Sequence, residues 1–214
     1  MAELYADMSI SLDGFVAGPD PTLEDPLGRG GMDLHAWAFA TRTFRRMHGQ
    51  EGGGSGVDDD LAMASLSQAG ATIMGRRMFS GGEGDWESDP RASGWWGDDP
   101  PFHHPVFVLT HHERDPLPMQ GGTSFTFVTG GIEAALEQAR DAAGKRDVAV
   151  GGGADAVQQY LAAGLLDRIR LHVAPLFLGS GRRLFDGVEA GRLEPAGQAG
   201  SLGGVAHLDY RVLR

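Results

Sequence analysis

The chain has 214 residues, 34 of them glycine and 11 proline, which is below the ~25–30% Gly-plus-Pro share of a disordered chain. With 41% hydrophobic residues it can bury the core of one α/β domain. A formal charge of −11 gives no basic field for nucleic acid or an anionic membrane, and the absence of cysteine removes disulfides, thiolate nucleophiles and sulfur ligands for zinc.

Glu3 and Asp7 stand where a signal peptide would be basic and then apolar, and no apolar run approaches 18 residues, so a cytoplasmic protein is expected. Leu4, Ala6, Met8, Ile10 and Leu12 alternate with Tyr5, Asp7, Ser9, Ser11 and Asp13, which predicts a first strand with one apolar and one polar face. A long insertion follows over about residues 18–56, rich in Gly, Pro and Asp, around one helix-like stretch from roughly Asp33 to Met47. Long loops inside compact domains are usually functional or mobile. Short apolar runs at Ala71–Met74, Val106–Leu109, Phe125–Val128 and Val148–Val150 end in Gly or Thr, as strands buried on both faces do.

Ile132, Ala135, Leu136, Ala139 and Ala143 share one helical face that Gly144 terminates, and a second helix runs from about Ala154 to Ala163 before Gly164. Strand and helix therefore alternate from Phe125 to Val173, the pattern of a parallel sheet with crossovers. Leu208, Tyr210 and Val212 alternate with His207, Asp209 and Arg211, which predicts a half-exposed strand placed antiparallel at the sheet edge by a hairpin. No repeat or composition shift marks a linker, so residues 1–214 are expected to form a single domain.

Several motifs are excluded. Gly144-Lys145 leads into Arg146 rather than Ser or Thr, so no ATPase-type phosphate loop is present, and Val57 stands where a nucleophile elbow at Ser55 needs glycine. His103-His104 and His111-His112 are adjacent pairs whose side chains point apart, with no third ligand at helical spacing, so no metal is expected. Two other segments carry a positive signal. In VAVGGGADAVQQYL, Gly151, Gly152 and Gly153 lie between a buried strand and a helix start, where bare backbone and the helix dipole suit an anion; a tight turn needing positive φ explains the same glycines. In ATIMGRRMFSGG, Arg76 and Arg77 occupy a first helical turn, where the dipole disfavours cations unless an anion or a carboxylate is near. Together the two segments suggest a diphosphate ligand.

The segments SISLDGFVAG, IMGRRMF, VFVLTHH, the glycine triplet and AAGLLDRIRLHVAPLFLGSGRRLF occur in an order that resembles the dihydrofolate-reductase-like superfamily. The likeness is strongest to the branch related to the reductase domain of the bifunctional deaminase/reductase of riboflavin biosynthesis. The resemblance implies a three-layer α/β sandwich with a mostly parallel central sheet, NADPH as cofactor and a small-molecule substrate. It places Gly75, Arg76 and Arg77 on the adenosine-side phosphates and Leu109, Thr110 and His111 around the 2′-phosphate. Gly151, Gly152, Gly153 and Ala154 would hold the pyrophosphate, with Val16 and Ala17 among the residues flanking the nicotinamide. It puts Asp13 at the substrate pocket, where it, with a raised pKa, or a water that it holds is expected to supply the catalytic proton, although an aspartate bonded to its own turn fits the sequence too. Asp59 or Asp60 stands near the offset of the substrate carboxylate of dihydrofolate reductases, with helix capping as the alternative. Trp86 belongs to an aromatic loop suited either to a planar substrate or to core packing. The Pro175 to Phe185 segment leaves a homodimer open.

The favoured reading is an NADPH-dependent reductase of a C=N or C=O carbon in a planar or sugar-linked heterocycle, working without metal. Two alternatives remain: a nucleotide-binding module without turnover, and a flavin-binding oxidoreductase using the same glycines.

Overall fold

The computed structural model describes residues 2–82, 84–200 and 203–213. In chain order, β1 (Leu4–Ser11) and β2 (Phe15–Ala17) lead to a 3-10 turn (Gly31–His35) and the short helices α1 (Ala36–Phe39) and α2 (Arg42–Met47). Next come α3 (Val57–Gln68), β3 (Ala69–Gly75), α4 (Arg76–Ser80), β4 (Pro105–Leu109), β5 (Leu117–Pro118) and β6 (Ser124–Val128). The alternation α5 (Gly131–Ala143), β7 (Asp147–Gly152), α6 (Ala154–Ala162), β8 (Arg168–Ala174) follows. β9 (Arg182–Arg183), β10 (Arg192–Gly200) and β11 (Ala206–Leu213) come last.

The chain divides into two compact units, and the boundaries fall inside β1 after Ala6, between Gln68 and Ala69, and between Leu166 and Asp167. Each unit is assembled from stretches far apart in sequence, which is why no linker composition announces the division. In the first unit β1, β7, β3, β4 and β6 pair side by side in that order, all parallel, and β5 adds antiparallel to β6. The apolar runs of the sequence are these strands. Helix α5 contacts β3, β4 and β7, and α6 contacts β7 and β3. Ala135, Leu136, Ala139 and Ala143 are the buried face of α5, as their spacing predicts. Leu4, Ile73, Val106, Phe125, Val150 and Tyr160 are almost fully buried, each large apolar side chain stabilising the fold by roughly 1.5–3 kcal/mol through area removed from water.

In the second unit β8 and β11 pair antiparallel, as do β11 and β10. The predicted C-terminal strand is thus antiparallel, and β10 lies outside it as its hairpin partner. Among the described residues no helix is long and apolar enough to cross a membrane.

Two local expectations are corrected. The helix-like stretch from Asp33 to Met47 is three short pieces, because Thr41 adopts extended backbone (φ −76°, ψ 156°) and caps α2 by accepting the Phe44 N–H at 3.1 Å. Leu12, assigned to the apolar face, is 61% exposed: β1 ends at Ser11, and the Leu12 N–H donates to the Leu176 carbonyl. The polar face of β1 is itself buried at Tyr5, Ser9 and Ser11, so this strand needs polar partners on one side.

Candidate active site

Parallel strands all present their carboxyl ends at one edge, the place where α/β folds bind ligands. In the first unit, pairing sets Gly75 against Leu109, Leu109 against Val128, and Met74 against Gly152. The GRR turn, the Leu109-Thr110-His111 turn and the glycine triplet are therefore neighbours at that edge. A Cβ at Gly75 would lie 3.8 Å from the Gly153 nitrogen, so the two glycine turns face one another with room for about one carbon between them. Gly152 has φ +126°, a conformation that side chains resist. Gly153 differs: its φ is −74°, it is exposed, and a Cβ there would meet nothing within 4 Å. Its bare surface keeps the approach to the start of α6 open, and among the described residues no side chain caps that helix. Backbone N–H groups of an uncapped helix beside open space fit a phosphate.

The two arginines of the second turn part company. Arg77 is exposed, while Arg76 is buried, bonding the Ser80 hydroxyl and lying 2.6 Å from the Asp89 carboxylate. Its guanidinium lies 3.5 Å from the centre of the Trp86 ring, with Arg114 at 4.7 Å from the same centre. Burial alone would raise the Asp89 carboxyl, but the Ser80 hydroxyl, the Arg91 N–H and Arg76 outweigh it and hold it below its usual range. Asp89 is thus the carboxylate that the paired arginines called for, a residue the sequence offered no offset to identify. Trp86 packs edge-to-face on Phe79 and Phe127 and donates its Nε1–H to the His112 carbonyl. Thr110 is buried, its hydroxyl oxygen accepting the His112 N–H, and His111 is exposed.

In the second unit Asp13 accepts the Ser11 hydroxyl at 2.6 Å and the N–H groups of Leu178 and Gly179 at 3.1 and 2.7 Å. The Ser11 bond is the largest influence on its carboxyl, which lies below its ordinary pKa, opposite in direction to the raised value an acid needs. Val16 is buried and Ala17 half-buried in β2, which pairs with β9. Asp59 is buried and accepts the Thr43 N–H at 2.7 Å; that bond, the Thr43 hydroxyl, Arg42 and Arg46 hold it below its usual range. Asp60 is exposed.

A further polar group in this unit went unrecognised in the sequence. Asp7, His172, His207 and Asp58 form a continuous chain, with Asp7 to His172 Nε2 at 2.5 Å, His172 Nδ1 to His207 Nδ1 at 2.6 Å, and His207 Nε2 to Asp58 at 2.8 Å. Trp37 lies against both imidazoles, its ring centre 4.3 Å from that of His172 and 5.0 Å from that of His207. The available signal was Asp7 on the polar face of a strand otherwise buried. The four groups run in line rather than converge, and among the described residues no group of three or more His, Asp or Glu side chains could hold a metal ion.

A mostly parallel sheet whose glycine turns meet at its carboxyl edge is the arrangement of α/β enzymes that bind ligands at that edge. The chain belongs to the RibD C-terminal domain family, whose match covers residues 2–197, and with that membership it is an oxidoreductase. Its fold is shared with a provisionally named riboflavin biosynthesis protein of Shewanella sp. PV-4, at 21% identity over the whole of both chains and a TM-score of 0.65. A deaminase/5-amino-6-(5-phosphoribosylamino)uracil reductase of Thermotoga maritima matches 99% of this chain and 57% of its own, at 11% identity and a TM-score of 0.57. A dihydrofolate reductase of Enterococcus faecalis complexed with NADP(H) matches 99% and 97%, at 12% identity and a TM-score of 0.52. No curated protein matches the chain in sequence.

Proposed function

We propose that the chain is an NADPH-dependent reductase acting on a C=N or C=O carbon of a small planar or sugar-linked heterocycle, of the kind reduced in riboflavin or pterin chemistry. The observation that carries this reading is the open glycine turn at the uncapped start of α6, facing the Gly75 turn across neighbouring parallel strands. When bound, NADPH would supply the hydride. The residues of the chain bind and orient it. Gly151, Gly152, Gly153 and Ala154 offer bare backbone and helix N–H groups to the pyrophosphate. Gly75 keeps the opposite wall low, Arg77 supplies exposed positive charge, and Thr110 and His111 stand at the adjoining strand end. Arg76 works inward, its ion pair with Asp89 tying α4 to the loop that follows it. Asp13, held ionised, orders the Leu178-Gly179 backbone.

Gly153→Val tests the assignment. Its φ and surroundings accept a side chain, so the melting temperature should stay near that of the parent, whereas the branched side chain would fill the approach to α6 and weaken NADPH binding by ~10-fold or more. Calorimetric titration reads the affinity, and a folded Gly153→Val protein that binds NADPH as the parent does would remove the glycine turn from the site. Tight NADPH binding with no oxidation across a panel of pterins, riboflavin precursors and small carbonyls would favour the non-catalytic module.

A further inference from the structure

NADPH differs from NADH by one phosphomonoester, the 2′-phosphate on its adenosine ribose, with a charge of roughly −1.5 to −2 at neutral pH. The glycine turns of the first unit suit a pyrophosphate, and a further group must read this extra charge. Arg76 follows Gly75 directly but is turned inward, where it bonds Ser80, pairs with Asp89 at 2.6 Å and lies against Trp86. A second guanidinium lies on the same indole. That of Arg114 stands 4.7 Å from the centre of the Trp86 ring and 4.9 Å from that of Phe127, and its Nη1–H donates to the Ala92 carbonyl.

Arg114 is a half-buried cation with no carboxylate of its own. Among the described residues none lies within ion-pair distance of it: Asp89 is in contact with Arg76, and Asp85 is engaged by His112 Nδ1 at 2.9 Å. Burial and then Arg76 lower the pKa of Arg114, and Asp89, acting through space, only partly opposes them. Two guanidiniums thus share one carboxylate, and positive charge is left in excess. A cation drawn out of water without a counter-ion is unfavourable, and an indole face offsets only part of that cost. The cluster is therefore short of one anion.

Its position says which anion it suits. Trp86 donates its Nε1–H to the His112 carbonyl at 3.0 Å, and the His112 N–H donates to the Thr110 hydroxyl oxygen at 3.2 Å, so the indole that carries Arg114 is fastened to the turn at the end of β4. Thr110 is buried, and among the described residues nothing accepts its own hydroxyl hydrogen. In the sheet β3 alone separates β4 from β7, which puts this turn ~10 Å from the glycine triplet at ~4.8 Å per strand, a span that one ribose bridges between two phosphate groups.

We propose that Arg114, held flat by Trp86 and Phe127, binds the 2′-phosphate of NADPH beside the Thr110 hydroxyl and sets the preference for NADPH over NADH. The identity of the nucleotide rests on the reductase reading above; the phosphomonoester site does not. Ala92 takes Nη1, which leaves the Nε–H and Nη2–H edge for two phosphate oxygens side by side. Stacking fixes the plane of the guanidinium before the ligand arrives, so little side-chain freedom is lost on binding.

Calorimetric titration with NADPH and with NADH tests the assignment. Arg114→Gln should lower the NADPH/NADH affinity ratio by ~10-fold or more, through weaker NADPH binding. Arg114→Lys, which keeps the charge without the planar fork, should give a ratio between those of Arg114→Gln and the parent. A damaged fold weakens both dinucleotides alike, so the ratio separates lost recognition from lost structure. In parent protein labelled with 15N-arginine, the Nε–H signal that disappears in Arg114→Gln should move on addition of adenosine 2′-monophosphate and stay in place with adenosine. A ratio unchanged in Arg114→Gln, or an Arg114 signal that adenosine 2′-monophosphate leaves in place, overturns the proposal while the reductase reading stands. A parent that binds neither dinucleotide overturns that reading and the cofactor preference with it; the phosphomonoester site then stands if the Arg114 signal moves and falls if it does not.

Discussion

Three donors converge on the Asp13 carboxylate, and two of them are backbone N–H groups of the loop after β8. An amide in its place offers one acceptor oxygen and turns an NH2 group toward an N–H, so Asp13→Asn should release that loop. Hydrogen exchange at Leu178 and Gly179 should become faster in Asp13→Asn, and unchanged exchange would show that the carboxylate does not order the loop. The carboxyl lies below its ordinary pKa, so its support is complete above pH ~4 and is lost only as pH falls further. Sequence order pointed to Asp13 because it ends the polar face of the strand predicted there, beside a glycine, although β1 itself stops at Ser11. Its partners at 178 and 179 lie 165 and 166 residues away, and no local pattern carries that information.

At the level of elements, α4 and the loop after it are held by one buried charge cluster. Arg76 and Asp89 have side chains 8% and 1% exposed, and Arg114 shares the Trp86 ring with Arg76. Burial first, then Arg76, lowers the pKa of Arg114, so Asp89 is the carboxylate that balances this pair of cations. Asp89→Asn would leave uncompensated charge in a closed setting and should destabilise the protein by ~3 kcal/mol, read from urea denaturation; a loss under about 1 kcal/mol would mean the arginines find water. Elements were legible where the chain itself carries the periodicity. β3, β4, β6 and β7 are uninterrupted apolar runs, and α5 shows its buried face at helical spacing. β10 reads RLEPAGQAG, with proline, glycines and no alternation, and is a strand because β11 offers a hydrogen-bonding edge. The Asp7–His172–His207–Asp58 chain was illegible for a related reason, its members coming from β1, β8, β11 and α3. The glycine turn was legible because strand, glycines and helix are contiguous.

For the molecule as a whole, buried histidines set the response to acid. Burial, with Arg146 and His103 adding, pushes the pKa of His104 down to about 4, and its ring is hydrogen-bonded to the Thr72 hydroxyl at 2.7 Å. His35 is lowered to about 4 as well. The unfolded chain, whose histidines titrate near 6.5, takes up protons that the native state refuses between those values. Stability should therefore be full above pH ~6.5 and fall toward pH 4, by ~1.4 kcal/mol per pH unit for each such residue. Denaturation at several pH values checks this, and His104→Gln should make the slope shallower. An unaltered slope would place the lost stability elsewhere. Asp7 and Asp89, both lowered in the native state despite burial, add a second loss only below pH ~4.

The exposed strand β10 bears on how copies of this protein treat one another. A free strand edge is a template for strands of other molecules, and long flat ones seed aggregates. Here Pro195 removes a donor, the register shifts between Pro195 and Gly197, and Arg192 and Glu194 place charge along the strand. Such an edge is poorly matched to a foreign strand. Pro195→Thr would restore the donor, and light scattering on concentrated samples should then detect slow association that the parent lacks. If the variant stays as monodisperse as the parent, its charges and bulge suffice to keep the edge solitary.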